Sequence, residues 1–310
     1  MINVEGLTKS YGSKKAVDNL SFTVTAGRVT GFLGPNGSGK STTMRCMLGL
    51  DRVDAGSVTF DGKKYVDFAL PLTKVGSLLD AGDAHKGRSA RNHLRWIAMT
   101  NGLSASRVDE VLRMVGMSEV AKTKVGKFSL GMRQRLGLAA ALLGDPEVVI
   151  LDEPANGLDP EGIRWTRDVM RHLADEGRSV LVSSHQLVEL SMVADDLVVI
   201  GQGKLISSGP IASFMDQHAK TWVRVVSPQI DALSSLASQA GATAERTATG
   251  ADFFSISAQQ LGDIAGANNI VLHELSPQTG SLEQAFLDAT DASVEYRGQD
   301  TSSPWGAPPS

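Results

Sequence analysis

Between Gly34 and Thr42 the chain reads Gly34-Pro35-Asn36-Gly37-Ser38-Gly39-Lys40-Ser41-Thr42, a Gly-x-x-x-x-Gly-Lys-Ser/Thr pattern. A mostly apolar stretch at 28 to 33 runs straight into it, and residues 39 to 49 continue as a helix. A strand, a glycine-rich turn and a helix N-terminus in that order form a cradle for phosphate groups. The glycines let backbone N–H groups turn inward, and the helix end adds positive potential. In this reading Lys40 neutralises β- and γ-phosphates, and the Ser41 hydroxyl ligates Mg²⁺.

Around this loop strands alternate with helices. Residues 2 to 7 and 20 to 25 read as half-buried strands, and 148 to 151 and 179 to 184 are apolar or β-branched runs of strand length. Each of the latter follows a helical stretch, at 132 to 143 and 161 to 175, so a largely parallel α/β sheet is expected. Leu94, Ile97 and Ala98, then Val108, Val111, Leu112 and Val115, recur at helical spacing and mark a helical subdomain at about 80 to 124. Past Leu205 short strands are expected at 222 to 226, 253 to 256 and 270 to 275, with helices at 230 to 240 and 259 to 266. The chain therefore divides into a domain of residues 1 to 215, a small α+β appendage at 216 to 290, and a Ser-, Gly-, Pro- and Asp-rich tail at 291 to 310 that reads as mobile.

Composition narrows the function classes. With 310 residues and 42% hydrophobic content the chain can bury a full core, which excludes disorder as its main state. A net charge of -4 with no extended basic run argues against a nucleic-acid partner. The single cysteine, Cys46, forms no internal disulfide and suits a reducing cytoplasm as a packed thiol. The N-terminus has no signal-peptide pattern, and the longest apolar run, 136 to 143, falls short of the roughly 20 residues of a membrane span. Membrane attachment is expected through a partner.

A second chemical feature is the apolar run Val148-Val149-Ile150-Leu151 ending in Asp152-Glu153. Beside a phosphate loop such a pair suits Mg²⁺ holding by Asp152 and polarisation of water against the γ-phosphate by Glu153. Neighbours on a strand face opposite ways, which separates the two roles.

Over about residues 2 to 215 these segments resemble an ABC ATPase cassette, and further positions match that family in order. Tyr11 resembles the aromatic that stacks on adenine, and Phe128-Ser129-Leu130-Gly131-Met132-Arg133-Gln134 resembles the family signature. Ser129 stands where it can cap the helix that follows and present free N–H groups to an anion. The resemblance implies that Ser129 and Gly131 contact nucleotide held by the opposite subunit, with Leu130 and Met132 departing from the usual glycine and glutamine. Asn156-Gly157-Leu158-Asp159 looks like the loop that crosses the dimer interface, with Asp159 on the nucleotide side, and His185 after Ser184 looks like the histidine that touches the γ-phosphate. In Val75-Gly76-Ser77-Leu78-Leu79-Asp80, Asp80 replaces the Mg²⁺-contacting glutamine; a carboxylate can favour the cation but donates no hydrogen bond.

The resemblance is nearest to the ATPase subunits of bacterial drug and antibiotic exporters of the ABC-2 type. It implies a P-loop NTPase cassette with a mostly parallel sheet core, an antiparallel β subdomain and a helical subdomain. It further implies ATP hydrolysis with Mg²⁺, and a homodimer sandwiching two ATPs on the cytoplasmic face of the membrane. A separately encoded permease, docked near residues 80 to 124, would choose the transported substrate. Non-transport relatives join two cassettes or insert long coiled coils, whereas this chain has one cassette and no heptad run. A nucleotide kinase would not need Ser129 to Gln134 or His185.

Overall fold

The computed structural model describes residues 1–82, 84–185 and 187–290; the expected mobile tail at 291–310 lies outside them. Strands β1 (Ile2–Tyr11), β2 (Lys14–Val24) and β3 (Arg28–Leu33) lead into helix α1 (Lys40–Met47), followed by β4 (Ala55–Phe60) and β5 (Val75–Leu78). Helices α2 (Ala90–Thr100), α3 (Ala105–Met114) and α4 (Leu130–Ala141) precede β6 (Val148–Asp152), α5 (Pro160–Asp175) and β7 (Ser179–Ser183). Next come α6 (Leu187–Ser191), β8 (Asp196–Gly201), β9 (Lys204–Pro210) and α7 (Ile211–His218). The chain closes with β10 (Thr221–Val226), α8 (Ile230–Gln239), β11 (Thr243–Arg246), β12 (Ala251–Phe254), α9 (Ala258–Ala267), β13 (Glu274–Thr279) and α10 (Leu282–Thr290). Two compact units emerge, Met1–Phe214 and Met215–Ala289.

In the first unit a six-stranded sheet runs β5-β6-β7-β3-β8-β9, parallel except for β9 at one edge. Its interior strands are apolar without alternation, and Val148 to Leu151 and Val180 to Val182 are buried, as strands covered on both faces require. The second sheet, β2-β1-β4, is antiparallel, and the buried Ile2 and Val4 of β1 alternate with less buried neighbours, so one face packs inward. That face shares one core with Met44 and Met47 of α1 and with Phe32, Ile150, Leu181 and Ile200 of the large sheet. Phe22 and Phe32 meet there with ring centroids 5.4 Å apart. Helices α2, α3 and α4 enclose a separate core around Leu94, Leu112 and Leu136. Ser89 caps α2 by accepting from the Asn92 N–H, and Ala90, Leu94 and Ala98 form its buried stripe.

The second unit follows a βαββαβ order, its strands arranged β11-β12-β10-β13 and antiparallel throughout. Val223, Val225, Ala251 and Phe253 on one sheet face meet Leu233 of α8 and Leu261 of α9 in a core of its own.

Some elements differ from expectation. The helix expected from 132 begins at Leu130, because Ser129 caps it and draws the preceding residues into the first turn. The strand expected at 270 to 275 forms instead over Glu274–Thr279. Ile270 donates its N–H to Ala265 O at the end of α9, so its apolar side chain closes that helix rather than starting a strand. Strands β4, β8, β9 and β11 are additional to the strands expected from pattern. Among the described residues no helix is long and apolar enough to cross a membrane.

The topology places the carboxyl ends of β6, β7 and β3 side by side, with Ser183 opposite both Asp152 and Phe32. Open α/β sheets bind ligands beyond such ends. At the neighbouring strand β5, packing against α4 is tight: a Cβ on Gly76 would lie 1.9 Å from Ala141 O and 2.8 Å from the Pro146 ring. Gly76→Ala is therefore expected to cost about 1–3 kcal/mol of stability, read as a lower urea midpoint at unchanged slope.

Candidate functional site

The loop after β3 is built for an anion. Gly39 takes φ +105°, a left-handed conformation that a side chain would strain, and α1 starts at the next residue without a side-chain cap. Its first-turn N–H groups are open to a ligand. Lys40 folds back over the loop and donates to Gly34 O at 2.6 Å and Pro35 O at 3.2 Å. Burial pushes its ammonium below the ordinary lysine range, while Glu153 and Asp152 pull it back up. Ser38 Oγ is buried without a partner among the described residues. Asn36 and Gly37 are exposed at the tip. A phosphate chain fits this arrangement.

Beside the loop, Ser41 Oγ donates to Asp152 Oδ2 at 2.7 Å, so α1 and β6 bring two of the three expected metal ligands together. The other Asp152 oxygen accepts from the Ser183 hydroxyl. Glu153 does not continue the strand. Its φ is +50°, so backbone reversal, rather than strand alternation, separates it from Asp152. The Glu153 N–H donates to Ser183 Oγ at 3.1 Å and Ser183 O at 3.3 Å, and its carbonyl accepts from Gln134 Nε2 at 2.7 Å. The turn directs its carboxylate to His185, with Glu153 Oε2 2.6 Å from Nδ1 and 3.3 Å from the backbone nitrogen. A carboxylate and an imidazole so paired can exchange a proton and hold a water.

Other expected residues fall into three places. Asp80 shares a cleft of about 570 Å³ with Ser41, Asp152, His93 and Trp96, and its Oδ1 accepts from the Gly82 N–H at 2.6 Å. Tyr11 is half exposed, and its hydroxyl donates to Asp51 Oδ2 at 2.7 Å, the main cause of its raised pKa. Asp51 also pairs with Arg45 at 2.8 Å, and these bonds hold its carboxyl below the usual range. Ser129, Gly131 and Asp159 form a third group. Ser129 Oγ accepts from Met132 N at 3.2 Å as cap of α4, Asp159 Oδ1 accepts from Gly162 N at 2.9 Å as cap of α5, and Gly131 faces Gly157 O and Leu158. Pattern alone missed Ser183 and Asp51. Their partners come from other strands and turns, so no local spacing announces them.

Comparison with known proteins agrees with the fold. Residues 17–156 match the ABC transporter family, and residues 221–283 match a domain family of unknown function. The chain is 40% identical over 223 residues to the bacitracin transport ATP-binding protein BcrA of Bacillus licheniformis, covering 71% of this chain and 73% of that one. It is 34% identical over 299 residues to the uncharacterized ABC transporter ATP-binding protein YdbJ of Bacillus subtilis (strain 168), covering 95% and 97%. A solved structure of an ATP-binding subunit of an ABC transporter superimposes with a TM-score of 0.65 at 26% identity, covering 70% of this chain and 92% of that chain. The chain belongs to the ABC transporter ATP-binding proteins and is an ATPase of that family.

Proposed function

We propose that the chain is the ATP-hydrolysing subunit of an antibiotic exporter, working as a nucleotide-bound homodimer against a separately encoded permease at the cytoplasmic face of the membrane. One observation carries the reading of the site: Lys40, Ser41, Asp152, Glu153 and His185 stand along one rim of the parallel sheet, joined by the Ser41 to Asp152 and Glu153 to His185 contacts. Similarity to a bacitracin transport subunit supports the export role.

Each residue then has a task. Lys40 and the N–H groups of residues 34 to 42 hold the triphosphate, and Tyr11 offers its exposed ring to the base. Ser41 and Asp152 would hold Mg²⁺, and Asp80 lines the same cleft. Two carboxylates and a hydroxyl suit a cation that takes its remaining oxygens from phosphates and water, and when bound it neutralises charge on the β- and γ-oxygens. Glu153 accepts the proton of the attacking water, and His185 keeps that carboxylate oriented.

Ser129, Gly131 and Asp159 serve the nucleotide of a second copy. The exposed Leu130 at the first turn of α4 supports this, since a partner subunit would cover it. Exposed Trp96 and Met99 on α2, the former lining the Asp80 cleft, support docking of the permease there.

Three measurements test the reading. Glu153→Gln should bind ATP and dimerise with it, while turnover falls by roughly 10² to 10⁴; near-normal turnover removes Glu153 from the base role. Lys40→Ala should lose nucleotide affinity itself, by about tenfold or more given the worth of a charge-assisted bond, read by equilibrium binding of a fluorescent ATP analogue. Asp80→Ala should raise the Mg²⁺ concentration for half-maximal turnover and Asp80→Gln should recover part of the loss, because its carbonyl oxygen still ligates. Superimposable Mg²⁺ curves would leave Asp80 as a loop carboxylate only.

A further inference from the structure

Gln134 sits on α4 with 6% of its surface exposed, and its two amide atoms have unlike fates. Nε2 donates to the Glu153 carbonyl at 2.7 Å, whereas Oε1 is buried with no partner among the described residues. An unsatisfied buried acceptor costs about 1–3 kcal/mol, and an apolar side chain of the same shape would avoid that cost. The N–H donor is what the position gains, and it is aimed at one backbone group.

That group belongs to a strained residue. A non-glycine residue at φ +50° persists only where its surroundings over-determine it. Both peptide groups of Glu153 are fixed: the N–H on Ser183, and the carbonyl by Gln134 Nε2 and by the Asn156 N–H at 3.1 Å. Of the carbonyl's two donors, Asn156 lies in the same turn and moves with it, while Gln134 comes from a different helix and ties the turn to the body of the unit. Rotation of this peptide would swing the carboxylate away from His185.

We propose that Gln134 is a positioning residue for Glu153, a role that rests on the reading of Glu153 as the base. It acts through the backbone turn that aims the carboxylate.

The test uses the full chain with ATP and Mg²⁺. Gln134→Met keeps the volume and removes the donor. Turnover should fall by roughly 10- to 100-fold, the scale of a misplaced catalytic group, with affinity for a fluorescent ATP analogue unchanged and the thermal midpoint unchanged or raised. Adding Gln134→Met to Glu153→Gln should cause no further loss of turnover and leave the ATP concentration that drives dimerisation where it was. Turnover within about twofold of the parent, or a loss repeated in full on the Glu153→Gln background, overturns the proposal. A loss of nucleotide affinity that matches the loss of turnover does so too. Gln134→Leu gives the same readings if the Met variant is insoluble. Near-normal turnover by Glu153→Gln alone instead removes the base assignment, which separates the two failures.

Discussion

The backbone hydrogen bonds between β6 and β7 set Asp152 opposite Ser183, and the geometry of the site depends on that register. A parallel pair can slip only by whole residues, and a slip of one turns every side chain to the other face. It would withdraw the Ser183 hydroxyl from Asp152 and remove the acceptors of the Glu153 N–H together. The apolar runs of β6 and β7, buried on both faces, hold the register. Val149, Ile150, Val180 and Leu181 are fully buried, and each such side chain contributes about 1.5–3 kcal/mol relative to exposure. Chemistry at the rim thus rests on packing in the interior.

At the rim the ammonium of Lys40 is subject to opposed influences. Lys40 is held among carbonyls with its ammonium pushed below the usual range by burial, and it is the carboxylates of Glu153 and Asp152 that oppose the shift. Two acidic groups beside a phosphate loop would repel a triphosphate in the absence of a cation, and the cation site proposed at Ser41 and Asp152 lies between loop and strand.

What could be read from the sequence was what is local. The phosphate loop, the strand ending in Asp152 and the capping serine Ser129 are each defined by residues a few positions apart, and the structure places strand, turn, helix and cap accordingly. Contacts set by tertiary register were not legible. Nothing near Ser183 in the chain points to Asp152, and nothing near Tyr11 points to Asp51, forty residues away. The left-handed turn at Glu153 was equally invisible, because it is imposed from outside by Ser183 and Gln134 rather than preferred by a glutamate. The second unit shows the same limit: Ile270 and Leu272 alternate like a strand, but Ile270 is committed to the end of α9 and pairing with β10 begins at Glu274.

The Ser183 hydroxyl donates to Asp152 and accepts from the Glu153 N–H, so a single oxygen lies in the path from one carboxylate to the backbone of the other. Hydrogen bonds in such a chain polarise one another. The more charge Asp152 carries toward Ser183, the more firmly that oxygen grips the amide of Glu153; a cation held by Asp152 would draw on that charge and relax the grip. The two acids are therefore wired in series, and the load on the first is felt as stiffness at the second.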